Sequence, residues 1–249
     1  MNITSTIALT LSLFCLTAAS AEVAIRPPFW GCHIAGEQGQ LRLLDGVRGA
    51  VAATRLGSGV VAVACNESRI LHHTGRRLVL DQNGRRELYP LEGRFLLALD
   101  GQFAVAVEPL TGFLLQFSNG EWLPASFQPP AGVRAIRLDE GRLSVLAHGG
   151  IEEWDLATGA LIASESIDVP NGPAALLSNH TVLVASDGMW LHCTTSSCTE
   201  LAPAPLTTLA LTPLSGGWWA ASTSSGLPVA VRIHRGAMES FYLPGEPFE

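Results

Sequence analysis

The chain contains no lysine, and all 15 of its basic residues are arginine. Enzymes that form a Schiff base through a lysine, and phosphate-binding loops that require one, are therefore excluded. Charged residues make up only 15% of the chain, against about 25% in an average soluble protein, and the formal net charge is −7. Because nucleic acids are bound through basic surfaces, we expect no nucleic-acid partner.

Long apolar runs are also scarce. The main one covers residues 7–19 and leads into Ala19-Ser20-Ala21, the small-x-small pattern of a signal-peptide cleavage site. A membrane span needs roughly 20 apolar residues, so this run is too short to cross a bilayer. The sequence therefore predicts a cleaved signal, residues 1–21, and one domain over residues 22–249. We expect that domain to be periplasmic or extracellular, with no transmembrane segment.

Cysteine is rare, and Cys15 lies within the predicted signal. The four others are Cys32, Cys65, Cys193 and Cys198. An even number of cysteines in an exported chain favours disulfides, and four cysteines allow three pairings. Cys193 and Cys198 enclose four turn-forming residues, so a hairpin there would bring their sulfurs together. A Cys32–Cys65 bridge then follows by elimination.

A metal site is the alternative use of these cysteines. The adjacent pairs Cys32-His33 and His192-Cys193 could supply ligands. The four residues between Cys193 and Cys198 exceed the common zinc spacing, and an oxidising compartment competes for the thiols. We therefore expect no bound metal.

No amphipathic helix pattern of useful length is present, whereas short turns recur at intervals of roughly 40 residues. Their centres are at residues 74, 111, 158, 195 and 235. Three of them contain a Thr-Gly pair: Thr74-Gly75, Thr111-Gly112 and Thr158-Gly159. Repeats of this length, each holding several short apolar runs, predict an all-β protein, a β-propeller of four-stranded antiparallel blades.

The pattern leaves two blade counts open. Five units are apparent, and residues 33–43 read as one further hairpin. That hairpin either completes the last blade and closes the ring or belongs to a sixth blade. We predict about five blades with the N-terminal segment adding to closure, and six is the alternative. Closure is expected because an open ring would leave long unpaired strand edges.

One unit resembles a known type of repeat. The segment Ile151-Glu152-Glu153-Trp154-Asp155-Leu156-Ala157-Thr158-Gly159 is similar to the outer-strand motif of WD40-like and quinoprotein-type propeller repeats. Residues 107–112 match it in part, with Pro109 taken as the counterpart of the aspartate. The resemblance implies the fold and no activity. The tryptophan that often follows in quinoprotein repeats is replaced by Ile162-Ala163, so we expect no quinone or other cofactor.

Neither histidines nor carboxylates form a convincing catalytic set. We expect the histidines that precede the turns, His33, His73, His192 and His234, to lie apart at the rim of the ring. Paired acids for glycoside hydrolysis would have to lie on inner strands about 5–9 Å apart. The inner-strand candidates are Asp100, Glu108 and Asp187. We identify no catalytic residue and favour a protein without enzymatic activity.

Arginines are concentrated in one unit: Arg69, Arg76, Arg77, Arg85, Arg86 and Arg94. They could form a docking patch for an acidic protein or an anionic polysaccharide. In the simpler interpretation, which we prefer, charged outer strands prevent edge-to-edge pairing.

We therefore expect an exported, non-catalytic propeller that binds another protein as a scaffold, in bacteria as an envelope-associated component. A carbohydrate-binding propeller that stacks sugars on Trp218-Trp219 or Phe29-Trp30 is the alternative. A hydrolase or metal-dependent enzyme is a third.

Overall fold

The computed structural model describes residues 29–35, 39–47, 50–82, 84–178, 181–205, 208–223 and 228–243. These residues form six antiparallel sheets that follow one another along the chain. The all-β propeller prediction is confirmed. The predicted signal, residues 1–21 with Cys15, lies outside the described residues.

The first blade has three strands and each of the other five has four. Blade 1 contains β1 (Phe29–Ala35), β2 (Gln40–Val47) and β3 (Ala50–Gly57). Blade 2 contains β4 (Ala62–Asn66), β5 (Arg69–His73), β6 (Arg77–Gln82) and β7 (Arg85–Pro90). Blade 3 contains β8 (Leu96–Asp100), β9 (Phe103–Val107), β10 (Leu114–Ser118) and β11 (Glu121–Pro124).

Blade 4 contains β12 (Ala135–Asp139), β13 (Arg142–Ala147), β14 (Gly150–Asp155) and β15 (Leu161–Ser166). Blade 5 contains β16 (Ala174–Ser178), β17 (Thr181–Ser186), β18 (Met189–Cys193) and β19 (Cys198–Pro203). Blade 6 contains β20 (Thr208–Pro213), β21 (Trp219–Thr223), β22 (Val229–His234) and β23 (Ala237–Tyr242). A single 3₁₀ turn at Ser215–Gly217 joins β20 to β21. A helix long and apolar enough to cross a membrane is not found in the described part of the chain.

The preferred count of five blades is corrected to six, the alternative. The N-terminal hairpin β1–β2 pairs with β3 and forms a sheet of its own. It adds no strand to the last blade, whose four strands all come from the C-terminal part of the chain. The five repeat units correspond to the five four-stranded blades.

Apolar side chains pack between neighbouring blades all the way around the ring. One cluster lies between each pair of adjacent blades, and the last joins blade 6 to blade 1 through Leu44, Trp218 and Phe241. Middle strands are therefore covered on both faces, as in β9, where residues 104–107 are fully buried. Outer strands such as β7 alternate between exposed and half-buried residues. This pattern explains the consecutive apolar residues in the sequence.

The innermost strands β4, β8, β12, β16 and β20 surround the ring axis. β1 runs in the opposite direction, because it begins beside Ser215, just past the end of β20, and ends beside Ser222 near the end of β21. β20 also contacts β4 directly. Five strands therefore form most of the wall of the axial channel. Blade 1 contributes Trp30 and Ile34 of β1 to this wall.

Two of the three Thr-Gly turns, at Thr111 and Thr158, are locally alike but occupy different places in their blades. The Asp155 carboxylate accepts hydrogen bonds from the Thr158 amide at 2.7 Å and hydroxyl at 2.8 Å. Glu108 binds Thr111 in the same way, at 2.7 Å for both groups. Glu108, and not Pro109, is thus the counterpart of the aspartate. The turn at Thr158 joins the third and fourth strands of blade 4, whereas the turn at Thr111 joins the second and third strands of blade 3.

Candidate functional site

The axial channel is a candidate ligand site. Where the five inner strands end, it opens into a cavity of about 350 Å³. The polar or ionisable residues that line the cavity are Cys65, Asn66, Glu67, Arg137 and Ser215, and its other lining residues are largely apolar. A second cavity, of about 150 Å³, lies in the channel toward the beginnings of the same strands. Small residues such as Ala135, Ala174 and Ala210 line it.

Most polar groups of the cavity are engaged in holding strand ends. Asn66 accepts hydrogen bonds from the Arg69 and Ser68 amides at 3.0 and 3.1 Å. Arg137 donates to the Leu177 carbonyl at 2.6 Å and pairs with an Asp139 carboxylate oxygen at 3.0 Å. The Ser215 hydroxyl accepts the Trp30 amide at 2.6 Å. These groups stabilise the fold, which leaves few polar atoms for a ligand.

The carboxylates considered for glycoside hydrolysis do not face one another. Asp100, the last residue of β8, accepts a hydrogen bond from the Gly141 amide of blade 4 at 3.1 Å. Glu108 caps its turn, which lowers the pKa of its carboxyl mainly through the Thr111 hydroxyl. Asp187 lies exposed in the turn between β17 and β18. Of the described residues that line the channel, Glu67 is the single carboxylate.

The expectation that all four histidines lie at the rim is wrong for two of them. His33 is in the innermost strand of blade 1, is 0% exposed and stands opposite Arg42. Burial, and secondly the charge of Arg42, lower the pKa of His33 to about 4. His73 is also buried, with its Nε2 2.9 Å from the Leu91 carbonyl oxygen. Both positions are internal because the inner and second strands pack against a neighbouring blade.

His192 is half-buried on β18, and His234 is exposed at the end of β22. The four histidines thus belong to four different blades. Within the described ranges, no three His, Cys, Asp or Glu side chains are grouped closely enough to hold a metal ion.

The six clustered arginines separate into three environments. Arg69 is only 3% exposed, and its guanidinium donates to the carbonyls of Asp100, Gln102 and Phe103 in blade 3. Burial lowers its pKa, and the nearby Asp100 raises it to a smaller extent. Arg69 therefore joins blade 2 to blade 3 and does not contribute to an exposed patch.

Arg85 and Arg86 lie on the outer strand β7 in ion pairs. Arg85 contacts Glu87 at 2.6 Å, and Arg86 contacts Asp81 at 2.7 Å. Hydrogen bonding to the Asp81 carboxylate raises the pKa of Arg86. Exposed pairs of this kind add little stability, but they neutralise the charge that a partner would meet. These two arginines fit the role of charged outer-strand residues.

Arg76, Arg77 and Arg94 are exposed, and their side chains have no ion pair or hydrogen bond within the described chain. The turn after β5 and the loop before β8 bring them together, since the Leu91 amide bonds the Arg76 carbonyl at 3.0 Å. The Gly93 amide likewise bonds the Gly75 carbonyl at 3.2 Å.

Exposed apolar residues lie in turns and loops on the same side of blades 2 and 3 as these arginines. The Val61 amide bonds the His73 carbonyl at 2.8 Å, which places Val61 beside the same turn with 56% of it exposed. In blade 3, Leu96 pairs with Val107, and the following turn carries Leu110, which is 79% exposed. We call the surface formed by Val61, Arg76, Arg77, Arg94 and Leu110 the arginine loop face.

The aromatic residues proposed for sugar stacking are mostly internal. Trp218 and Trp219 are buried in the clusters on either side of blade 6. Trp30 is half-buried and lines the channel cavity, and the side chain of Phe29 lies outside the described residues. None of the chain's tryptophans is exposed. A flat, exposed tryptophan for a sugar ring is thus missing.

The cysteines occur as two pairs. Cys193 and Cys198 face each other across the β18–β19 hairpin and form a disulfide with an S–S distance of 2.03 Å, as the spacing predicted. Cys32 and Cys65 are free thiols on the adjacent strands β1 and β4. The structure therefore brings the second predicted pair together without a bond between them.

The chain is similar to known proteins in structure and not in sequence. No protein-family model matches the chain, and no curated protein is significantly similar in sequence. A chain in the crystal structure of a nidogen/laminin complex is similar with a TM-score of 0.59 and 12% identity, over 87% of this chain and 94% of that one. Hsv2 of Kluyveromyces lactis is similar with a TM-score of 0.50 and 8% identity, over 86% and 83% of the two chains. At such identities the similarity shows the β-propeller fold alone.

Proposed function

We propose that this protein is an exported, non-catalytic docking protein that binds an acidic protein surface through the arginine loop face. The observation that carries the proposal is a group of three exposed arginines, Arg76, Arg77 and Arg94, which lack side-chain partners among the described residues and lie on the same side of the blades as exposed aliphatic side chains. Basic and apolar groups together suit a protein interface, in which aliphatic contacts supply affinity and charge directs orientation.

Charge distribution supports a specific orientation of the partner. The formal net charge of the chain is −7, so a local group of three arginines differs in sign from the protein as a whole. Glu92 is exposed in the same loop as Arg94 and offsets part of that charge. An acidic partner would be attracted to this face and repelled from much of the remaining surface.

The alternatives have less to support them. Carbohydrate binding would need exposed aromatic faces; the tryptophans are buried or half-buried, and Phe113 and Tyr242 are the exposed rings among the described aromatic residues. Hydrolysis would need two carboxylates across the channel, where the described lining supplies only Glu67. The complex of nidogen with laminin illustrates that a structure of similar fold can take part in protein binding.

The test is affinity capture with matched arginine variants. The immobilised protein is exposed to a native envelope or secreted extract, and the retained proteins and glycans are identified. We expect one protein to be retained, and to be lost with R76A/R77A/R94A but kept with R85A/R86A. Binding should weaken as salt is raised, because exposed charges are screened.

Equal retention by both arginine variants would contradict the assignment of this face. Retention of glycans alone would favour the polysaccharide alternative, and retention of nothing would overturn the docking proposal.

A further inference from the structure

Cys32 and Cys65 lie on two neighbouring blades whose described strands do not pair with each other. Cys32 lies in the middle of β1, and Cys65 lies near the end of β4. Both belong to the apolar cluster between blades 1 and 2, together with Leu41, Val60 and Val63. The strands β1 and β4 contact each other, so the two cysteines lie at one interface.

The two thiols differ in their accessibility. Cys32 is fully buried, whereas Cys65 is half-buried and lines the channel cavity. A reagent in the channel would therefore meet Cys65 first, with Cys32 behind it. Burial, and secondly the Cys32 side chain, raise the pKa of the Cys65 thiol, so thiolate is scarce and exchange should be slow.

We propose that Cys32 and Cys65 form a thiol–disulfide site whose oxidation covalently fastens the N-terminal blade to blade 2 at the channel wall. The oxidant is a disulfide, either of low molecular weight or in an oxidising protein. The Cys65 thiolate attacks one sulfur of the oxidant and releases the other as a thiolate. The Cys32 thiolate then attacks the Cys65 sulfur of the mixed disulfide and releases the second thiol.

Two thiols of the protein are thereby oxidised to one disulfide, while the oxidant disulfide is reduced to two thiols. The two protons lost by Cys32 and Cys65 protonate the two thiolates that leave. No metal or other cofactor takes part.

The position of the pair gives the bond a structural consequence. Among the described strands, those of blade 1 pair only with one another. Contact with blade 2 includes the apolar cluster and a backbone bond from the Val60 amide to the Gly39 carbonyl at 2.9 Å. A covalent link between β1 and β4 would keep this interface closed when these weaker contacts open.

The first experiment is thiol mapping of the full chain. Free thiols are alkylated before and after incubation with oxidised glutathione, and the peptides are identified by mass spectrometry under non-reducing conditions. We expect a peptide in which Cys32 is linked to Cys65, with Cys193 linked to Cys198 throughout. Continued alkylation of both thiols after oxidation would overturn the proposal, as would glutathione held on Cys65 while Cys32 stays free.

Thermal unfolding gives a second, independent readout. Oxidation should raise the Tm of the wild-type protein by roughly 10 °C, because a bond between residues 32 and 65 closes a long loop. The C193A/C198A variant should show the same increase, whereas C32A/C65A should show none. An equal increase in C32A/C65A would show that oxidation acts elsewhere. If C32A/C65A does not fold, thiol mapping of the wild-type protein still decides the question.

Discussion

The N-terminal blade and the blade that follows it show two ways of joining the same ring. Blade 2 has four strands, supplies an inner strand to the channel and reaches blade 3 through the guanidinium of Arg69. Blade 1 has three strands, and its innermost strand runs opposite to the inner strands of the other blades. Blade 1 therefore closes the ring mainly by packing and not by continuing the inner layer.

Among the described residues, blades 1 and 6 belong to separate sheets and are joined through side chains. Leu44 of blade 1 packs against Leu214, Trp218 and Phe241 of blade 6. The Trp30 amide and the Ile34 carbonyl are bonded by serine hydroxyls of blade 6 at 2.6 and 3.1 Å. Within the described ranges, side-chain packing and these two hydrogen bonds connect blade 1 to blade 6.

The largest expected effect comes from truncating a buried leucine. Comparing two such leucines tests whether blade 1 unfolds together with the ring. Leu146 and Leu44 are both 0% exposed, the first between blades 4 and 5 and the second between blades 6 and 1. We expect L146A and L44A each to reduce the free energy of unfolding by about 3 kcal/mol, measured by urea denaturation. An unchanged main transition in L44A, with a separate early one, would mean that blade 1 unfolds independently.

Acid should act on blade 1 through His33. Its pKa is about 4 in the folded protein and near 6.5 when unfolded. Between these values the unfolded state binds a proton that the folded state does not, so stability falls as pH decreases from 6.5 to 4. The expected loss is on the order of 3 kcal/mol. His72, whose pKa is lowered mainly by burial, acts in the same direction.

Urea titrations at several pH values measure this effect, and H33L should reduce its slope. A slope unchanged by H33L would assign the acid sensitivity to other groups.

The inter-blade bonds of Arg69 predict the next largest change. R69Q leaves the carbonyls of Asp100, Gln102 and Phe103 without their guanidinium donor. We expect a loss of about 2 kcal/mol in the free energy of unfolding. R69K should recover little of it, because an ammonium does not reproduce the planar fork that reaches several carbonyls. Full stability in R69K would show that charge alone suffices.

The smallest expected effect is at the arginine loop face. R76A should change the free energy of unfolding by less than about 0.5 kcal/mol, because the side chain is exposed and unpaired within the described chain. Chemical denaturation beside R69Q measures the contrast between two arginines of one blade. A large loss in R76A would indicate that this arginine supports the fold.

Local features were predictable because they depend on residues close in the chain. The Thr-Gly turns, the short strands and the Cys193–Cys198 hairpin all follow from side chains within a few positions of one another. Register within the blades was not predictable. Turns of the same type join different strand pairs in blades 3 and 4, so the spacing between turns does not define the repeat boundaries.

The candidate site was less accessible to sequence reasoning than the fold. The sequence does not distinguish the six clustered arginines, yet one is buried, two are ion-paired and three are exposed with no side-chain partner in the described part of the chain. For Arg85 and Arg86 a signal was present, since Asp81 and Glu87 lie on strands that a hairpin would pair. For Arg69 there was none, because its carbonyl partners belong to the next blade.

The sequence by itself determined the all-β repeat, its turn chemistry and the five four-stranded units, since strand and turn preferences act over a few residues. Tertiary structure alone decided that there are six blades, that His33 and Arg69 are buried, and that Arg76, Arg77 and Arg94 are exposed. The physical reason is the packing of blades against one another. A side chain's environment is set there by residues some 30 or more positions away, beyond the reach of any local pattern.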